Sequence, residues 1–267
     1  MNRITLSLLK EIGSKLKDVI PPLRLSKHAS EVLGKGAAGD KTFEVDQVAE
    51  ELIVSELKKH GVSATIVSEE LGEVEINGGG YRVIIDPIDG SKNAVTGIPL
   101  FCSSIAVAED NRVDSLVLSY VLNYISGDEY WAERGQGAYM NGKRLQSQQD
   151  NHIKVVLYET QVPGHDIRRI LPLLSLANRT RCLGATALDL AFVASGAATV
   201  YVNPAPTRSF DYAGGLLLLK EAGGIFTDID GNDYGKIELT MKKTPPILAS
   251  ANKDVHEMAL RSLQDER

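Results

Sequence analysis

Between residues 4 and 20 apolar side chains recur at Ile4, Leu8, Leu9, Ile12, Leu16, Val19 and Ile20, a spacing that predicts an amphipathic helix stopped by Pro21 and Pro22. A second helix is predicted over 46–60, with Val48, Leu52, Ile53 and Leu57 on one face and Gly61 as its C-terminal stop. Between them, Gly34-Lys35-Gly36-Ala37-Ala38-Gly39 reads as a flexible stretch. From Ala64 the pattern changes to short apolar runs bounded by turns, which predict strands over 64–68, 82–85, 103–108, 114–121 and 128–132. A turn at Asn141-Gly142 closes this half, and the polar run 146–151 joins it to the next.

The second half alternates strands at 154–159, 179–182, 198–202 and 224–227 with helices near 166–176, 187–195 and 211–222. The whole chain therefore reads as a layered α+β and α/β protein. Its expected organisation is an N-terminal α+β subdomain, residues 1–145, and a C-terminal α/β subdomain, residues 146–267.

At 267 residues the chain can bury a large core without staples. Its 29 basic and 35 acidic residues leave a net charge of −6 with no long block of either sign, which argues against nucleic-acid binding through a basic face. An acidic protein that handles an anion must neutralise it locally, and bound metal does so. Cys102 and Cys182 have neither Cys-x-x-Cys spacing nor histidines nearby, so zinc and a disulfide framework are poorly supported. Charges scattered from Arg3 to Asp18 rule out a signal-peptide apolar run, and no stretch reaches the roughly 18 apolar residues of a membrane span. The cytoplasm is the default location.

The chemistry concentrates in Val83-Ile84-Ile85-Asp86-Pro87-Ile88-Asp89-Gly90-Ser91, a hydrophobic strand running into two carboxylates and a turn. Pro87 is expected to end the ladder, so that Asp86 and Asp89 point at one place. Such a pair repels without a cation, whereas a hard divalent ion with oxygen ligands relieves the cost. Gly90 and the helix start at Ser91 form a candidate phosphate cradle. An Asx-turn would use the same residues. Glu69 and Glu70 end the apolar run 65–67, Asp46 and Asp211 each open a helix, and Asp40 lies on the flexible stretch. Each also has a plain structural reading, as helix cap or solvated strand end.

Three motifs together resemble the inositol monophosphatase family: Val67-Ser68-Glu69-Glu70-Leu71-Gly72, Ile85-Asp86-Pro87-Ile88-Asp89-Gly90-Ser91, and Ser209-Phe210-Asp211-Tyr212-Ala213-Gly214-Gly215 followed by Glu221-Ala222-Gly223-Gly224. The likeness is greatest to archaeal-type members acting on both inositol monophosphate and fructose 1,6-bisphosphate. It spans nearly the whole chain, with weaker matches at 39–46 and 135–142. The resemblance implies an αβαβα five-layer sandwich and a Mg²⁺-dependent phosphomonoesterase. Glu69, Asp86 and the Ile88 carbonyl would hold a first Mg²⁺, and Asp86, Asp89 and Asp211 a second. A third ion would involve Glu69 and Asp40. Asp46 and Ser91 would orient the attacking water, with Ser91 positioning rather than forming a covalent bond.

Asp89, Gly90, Ser91, Ala185 and Thr186 would touch the substrate, and Arg181 and Arg208 are candidates for a second phosphate or a hydroxyl. A small phosphorylated sugar or polyol is the implied substrate and a homodimer the implied assembly. The chain departs from its relatives at Pro204, where the family often has a Glu or Arg contacting the sugar.

Phosphatases for 3′-phosphoadenosine nucleotides or for nicotinamide dinucleotide phosphate share the metal motifs and stay open as alternatives. So does a catalytically silent relative, although every acid is present. A nucleotide-binding loop at Gly34–Thr42 nearly spells the Walker pattern, but Asp40 puts a carboxylate where phosphate should lie, and 26–33 does not read as a strand.

Overall fold

The computed structural model describes residues 3–26 and 31–264. Residues 27–30, inside the 26–33 stretch just considered, lie outside the described residues. Helix α1 (Leu6–Arg24) buries Leu8, Leu9, Ile12, Leu16 and Ile20, as the spacing predicts. Pro21 and Pro22 do not stop it but lie inside its final turn. Two lost donors so near the end interrupt little of the ladder, and the packed face around Ile20 fixes the backbone beforehand. The glycine-rich stretch is ordered as a hairpin, with β1 (Val32–Lys35) antiparallel to β2 (Lys41–Phe43), and leads directly into α2 (Glu44–Lys59).

The first sheet is built from β3 (Ala64–Ser68), β4 (Gly72–Ile76), β5 (Tyr81–Asp89), β6 (Cys102–Ala108), β7 (Leu116–Asn123), β8 (Glu129–Glu133), β9 (Gly137–Met140) and β10 (Lys143–Arg144). Its order is β10-β9-β8-β7-β6-β5-β3-β4, and every pairing is antiparallel except β3 with β5. The short helix α3 (Ser91–Thr96) follows β5.

The second half runs β11 (Val155–Tyr158), α4 (Pro163–Ser175), β12 (Arg179–Arg181), α5 (Thr186–Ala194), β13 (Val200–Asn203), α6 (Ser209–Glu221), β14 (Ile225–Asp228), β15 (Ile247–Ser250) and α7 (Lys253–Gln264). Its sheet has the order β12-β11-β13-β15-β14, with β12, β11 and β13 parallel and β15 antiparallel to both neighbours. Strands β4, β9, β10 and β15 and helix α7 were not among the predicted elements. β4 buries only its two end residues and so has no alternation to read.

Three apolar clusters stack these elements as helix, sheet, helix, sheet, helix. Leu9, Ile53 and Leu57 of α1 and α2 pack with Val83, Ile105 and Tyr120 on one face of the first sheet. Leu190, Leu216 and Leu218 of α5 and α6 fill the layer between the sheets, with Val121 on one side and Tyr201 on the other. Ile170 of α4 and Val255 of α7 cover Val156, Val202 and Leu248 on the outer face of the second sheet. The protein is thus an αβαβα sandwich. No helix among the described residues is long and apolar enough to cross a membrane.

The middle layer is thin because Gly214 and Gly215 give α6 no side chains there. A Cβ on Gly214 would collide with the Ser104 hydroxyl of β6, and one on Gly215 would lie 2.5 Å from Leu190 Cβ of α5. This approach carries the start of α6 to the end of β5. Gly215→Val is expected to cost about 1–3 kcal/mol by overpacking, measured by denaturant unfolding. An unchanged midpoint would contradict the close approach.

Candidate active site

Strand pairing assembles the acids. In the parallel β3–β5 pair Ser68 lies beside Ile85, which sets Glu69, the residue just past β3, next to Asp86 of β5. Against β6, Asp86 pairs with Ser104 and Asp89 with Cys102, so β5 holds one extra residue across this step. The strand therefore does not end at Pro87. It bulges there, which suits a residue lacking an N–H, and continues to Asp89. Helix α6 starts at Ser209, two residues earlier than predicted, and this places Asp211 within its first turn rather than at its cap. Asp211 Oδ2 accepts the Arg208 N–H at 2.8 Å and also the Thr207 hydroxyl.

Asp40, Glu69, Asp86, Asp89, Ser91 and Asp211 line one cleft. Burial pushes the Asp89 carboxyl up to about 8, against the Ala187 N–H that favours its charge. Asp86 is held well above the carboxylate range by burial and then by the charges of Glu69, Asp89 and Asp211. Glu69 is raised for the same reasons, with Asp211 its strongest charged neighbour, and burial raises Asp211 as well. These are the signs of like charges gathered in a poorly solvated space.

Ser91 Oγ lies 2.6 Å from Asp46 Oδ1, to which it donates, and 2.7 Å from the Ile88 carbonyl oxygen. Asp46 lies within the first turn of α2, and its other oxygen takes the Phe43 N–H at 2.8 Å. Burial pushes Asp46 up to about 7. Asp40 is exposed on the β1–β2 turn, which rests on the end of β3 through Ala37 and Ala38 N–H groups donating to the Glu70 and Glu69 carbonyls, each at 3.0 Å.

The predicted substrate contacts divide. Gly90 lines the cleft with φ of +88°, and a Cβ there would sit 3.0 Å from the Gly184 carbonyl, so glycine is required. Thr186 and Ala187 turn their N–H groups onto Asp89 at 3.1 and 2.7 Å, while the Thr186 hydroxyl pairs with Tyr201. Ala185 is fully buried against the middle layer. This turn therefore positions Asp89 through its backbone, with the Ala185 and Thr186 side chains buried. Arg181 lies in a separate depression with Val155, Leu157 and Phe192, outside the cleft. Arg208 donates to the Ala38 carbonyl at 2.6 Å and stands 3.4 Å from Asp40, tying the hairpin to α6.

Three contributors were not singled out from the sequence. Glu50 lies one helical turn after Asp46 and receives the Ser68 hydroxyl and the Leu71 N–H, bracing the turn that carries Glu69. That i,i+4 spacing of acids on a buried face was the available signal. Asn93 bridges the Leu100 and Leu183 carbonyls at 2.9 and 2.7 Å. Glu159 lines the cleft from the second sheet.

The donor set fits a hard divalent cation. It is all oxygen, Asp86 Oδ1 is buried without a hydrogen-bond partner, and the Glu69 carboxylate has none among the described residues. No three cleft acids bring oxygens within 4.8 Å of one another, as expected of carboxylates that repel. Among the described residues that spacing is met by Glu11, Glu56 and His60, where the Lys15 ammonium stands 2.9 Å from Glu11 and 2.6 Å from Glu56 and supplies the positive charge itself.

The model of the inositol monophosphatase family matches residues 1–267. A fructose-1,6-bisphosphatase/inositol-1-monophosphatase of Thermococcus kodakarensis is 35% identical over 266 residues, covering 99% of this chain and 98% of that protein. Its namesake from Methanothermobacter thermautotrophicus is 31% identical over 264 residues, 95% of this chain and 94% of the other. The solved structure of a hypothetical protein from Pyrococcus horikoshii with similarities to inositol-1 monophosphatase superposes with a TM-score of 0.83 at 31% identity, covering 96% of each chain. With the fold, the acids and the whole-length match in agreement, the chain belongs to the inositol monophosphatase family, a family of metal-dependent phosphatases.

Proposed function

We propose that this enzyme hydrolyses the phosphate monoester of a small sugar or polyol, with inositol monophosphate and fructose 1,6-bisphosphate as its substrates and Mg²⁺ as its metal. The observation that carries the reading is the convergence of Glu69, Asp86, Asp89 and Asp211 on one cleft, with Asp86 Oδ1 buried and unpartnered. In this reading Glu69, Asp86, the Ile88 carbonyl, Asp89 and Asp211 hold the ions, and Asp40 joins Glu69 at a third. Two to three Mg²⁺ per site, a homodimer and a cytoplasmic location are carried from the resemblance. The division at 145/146 is supported by the first sheet ending at Arg144 and the second beginning at Val155.

Divalent cations in such a cleft neutralise the phosphoryl group and lower the pKa of water. The chain's own residues do the rest. Ser91, fixed by Asp46, presents its hydroxyl oxygen to orient the attacking water, and Asp46 Oδ1 holds the Ser91 proton. In this reading Ser91 positions the water and is not itself the nucleophile, as in the family the chain resembles. Gly90 lets the backbone approach the phosphate closely, and Lys92 adds a cation at the mouth.

Asp89→Asn and Asp211→Asn are each expected to lower Mg²⁺-dependent phosphate release by about 10³-fold or more while the fold persists. The assay spans inositol 1-phosphate, fructose 1,6-bisphosphate and adenosine bisphosphates, and retained turnover in both variants would refute the assignment.

The raised carboxyls also set a pH dependence. Between about pH 4 and about pH 8 the metal-free folded protein keeps protons that the unfolded chain has released, so its stability falls as pH rises. Melting of metal-free protein is expected to occur at lower temperature at about pH 8 than at about pH 5, and Mg²⁺ to raise it more at the higher pH. Equal Mg²⁺ shifts at both would contradict the account.

A further inference from the structure

We infer that Glu159 is a specificity residue, whose carboxylate accepts hydrogen bonds from the hydroxyl groups of the substrate's polyol portion. This rests on the phosphatase reading above and deepens it by naming what recognises the part of the substrate that is not phosphate.

The topology places Glu159 where a sheet of this kind presents its ligands. Strands β11, β12 and β13 run parallel, and in such sheets the crevice beyond the carboxyl ends of the strands is the binding region. Glu159 is the first residue past β11, and Gly184, a few residues beyond the end of β12, borders the same cleft. The first sheet brings Glu69, Asp86 and Asp89 to this cleft from the opposite layer, so Glu159 faces the acids from the second sheet.

Its side chain is set in place and left half used. Oε1 accepts the Thr160 N–H at 2.9 Å and faces the Cys182 thiol at 3.9 Å, while the Glu159 N–H is committed to the Val202 carbonyl at 3.1 Å. No donor among the described residues reaches Oε2. A half-buried carboxylate with one oxygen fixed and the other free accepts well from hydroxyls, and burial makes such charge-assisted bonds stronger than in water.

The sign of the charge says what it faces. A carboxylate beside a bound phosphate repels it, so Glu159 is not a phosphate contact. Lys92, which lines the same cleft, is the positive charge that acts on it. Proline at 204 gives the loop after β13 no acidic side chain or amide hydrogen at that position, and Arg169 takes the Pro204 carbonyl at 2.8 Å. Among the described residues this leaves Glu159 as the cleft carboxylate outside the group assigned to the metal ions that can recognise hydroxyls.

The test compares wild type, Glu159→Gln and Glu159→Ala on inositol 1-phosphate and on phenyl phosphate, a monoester without hydroxyls, at saturating Mg²⁺. The inference predicts a loss of about 10- to 100-fold in kcat/KM for inositol 1-phosphate, mainly in KM, with phenyl phosphate changed by less than about 3-fold. Equal losses on both substrates would make Glu159 a structural or metal-positioning group and overturn the inference, as would no loss on either. If wild type released phosphate from neither substrate, the phosphatase reading itself would fail, and this inference with it.

Discussion

Crowded negative charge is the constraint on which this molecule is organised. Two unit charges about 5 Å apart at an effective dielectric near 20 repel by about 3 kcal/mol. Several such repulsions in one poorly solvated cleft weigh heavily against the small net stability of a folded domain. Glu69, Asp86, Asp89 and Asp211 therefore cannot all be ionised together unless protons or cations intervene. The raised carboxyls of the cleft and the unpartnered Asp86 Oδ1 are two expressions of that conflict.

Much of the remaining architecture holds those acids in place. The parallel β3–β5 register sets Glu69 beside Asp86, and the bulge at Pro87 brings Asp89 to the end of the same strand. The start of α5 donates two N–H groups to Asp89, and the start of α6 holds Asp211 through Arg208 and Thr207. Glycines at 214 and 215 let α6 slide close enough for Asp211 to join acids from the other sheet. Backbone donors fix Asp89 and Asp211, while Asp86 Oδ1 is left without a partner. Arg208 adds a further link by tying the Asp40 hairpin to the helix that carries Asp211.

The sequence made the acids legible because each ends an apolar run or opens a periodic one, as in Thr65-Ile66-Val67 before Glu69 and Val83-Ile84-Ile85 before Asp86. The layered fold followed from the alternation after residue 154, although β4, β15 and α7 did not. β4 lacks alternation, and β15 is four residues long behind Pro245 and Pro246. Side-chain direction was the harder matter. Arg181 sits in the predicted segment yet faces another depression, Arg208 is used on the hairpin, and Thr186 works through its N–H rather than its side chain. Which way a residue turns depends on strand alternation fixed by pairing partners far along the chain. Glu50 and Glu159 were missed for the converse reason, since neither belongs to a motif and only folding brings them to the site.

Cation binding by the cleft acids is the central claim, and crystals soaked in Mn²⁺ test it directly through anomalous scattering. The account predicts at least two peaks in the cleft, each at about 2.0–2.2 Å from carboxylate oxygens that include Asp86 Oδ1. Peaks only at Glu11, Glu56 and His60, with none beside Asp86, would contradict it.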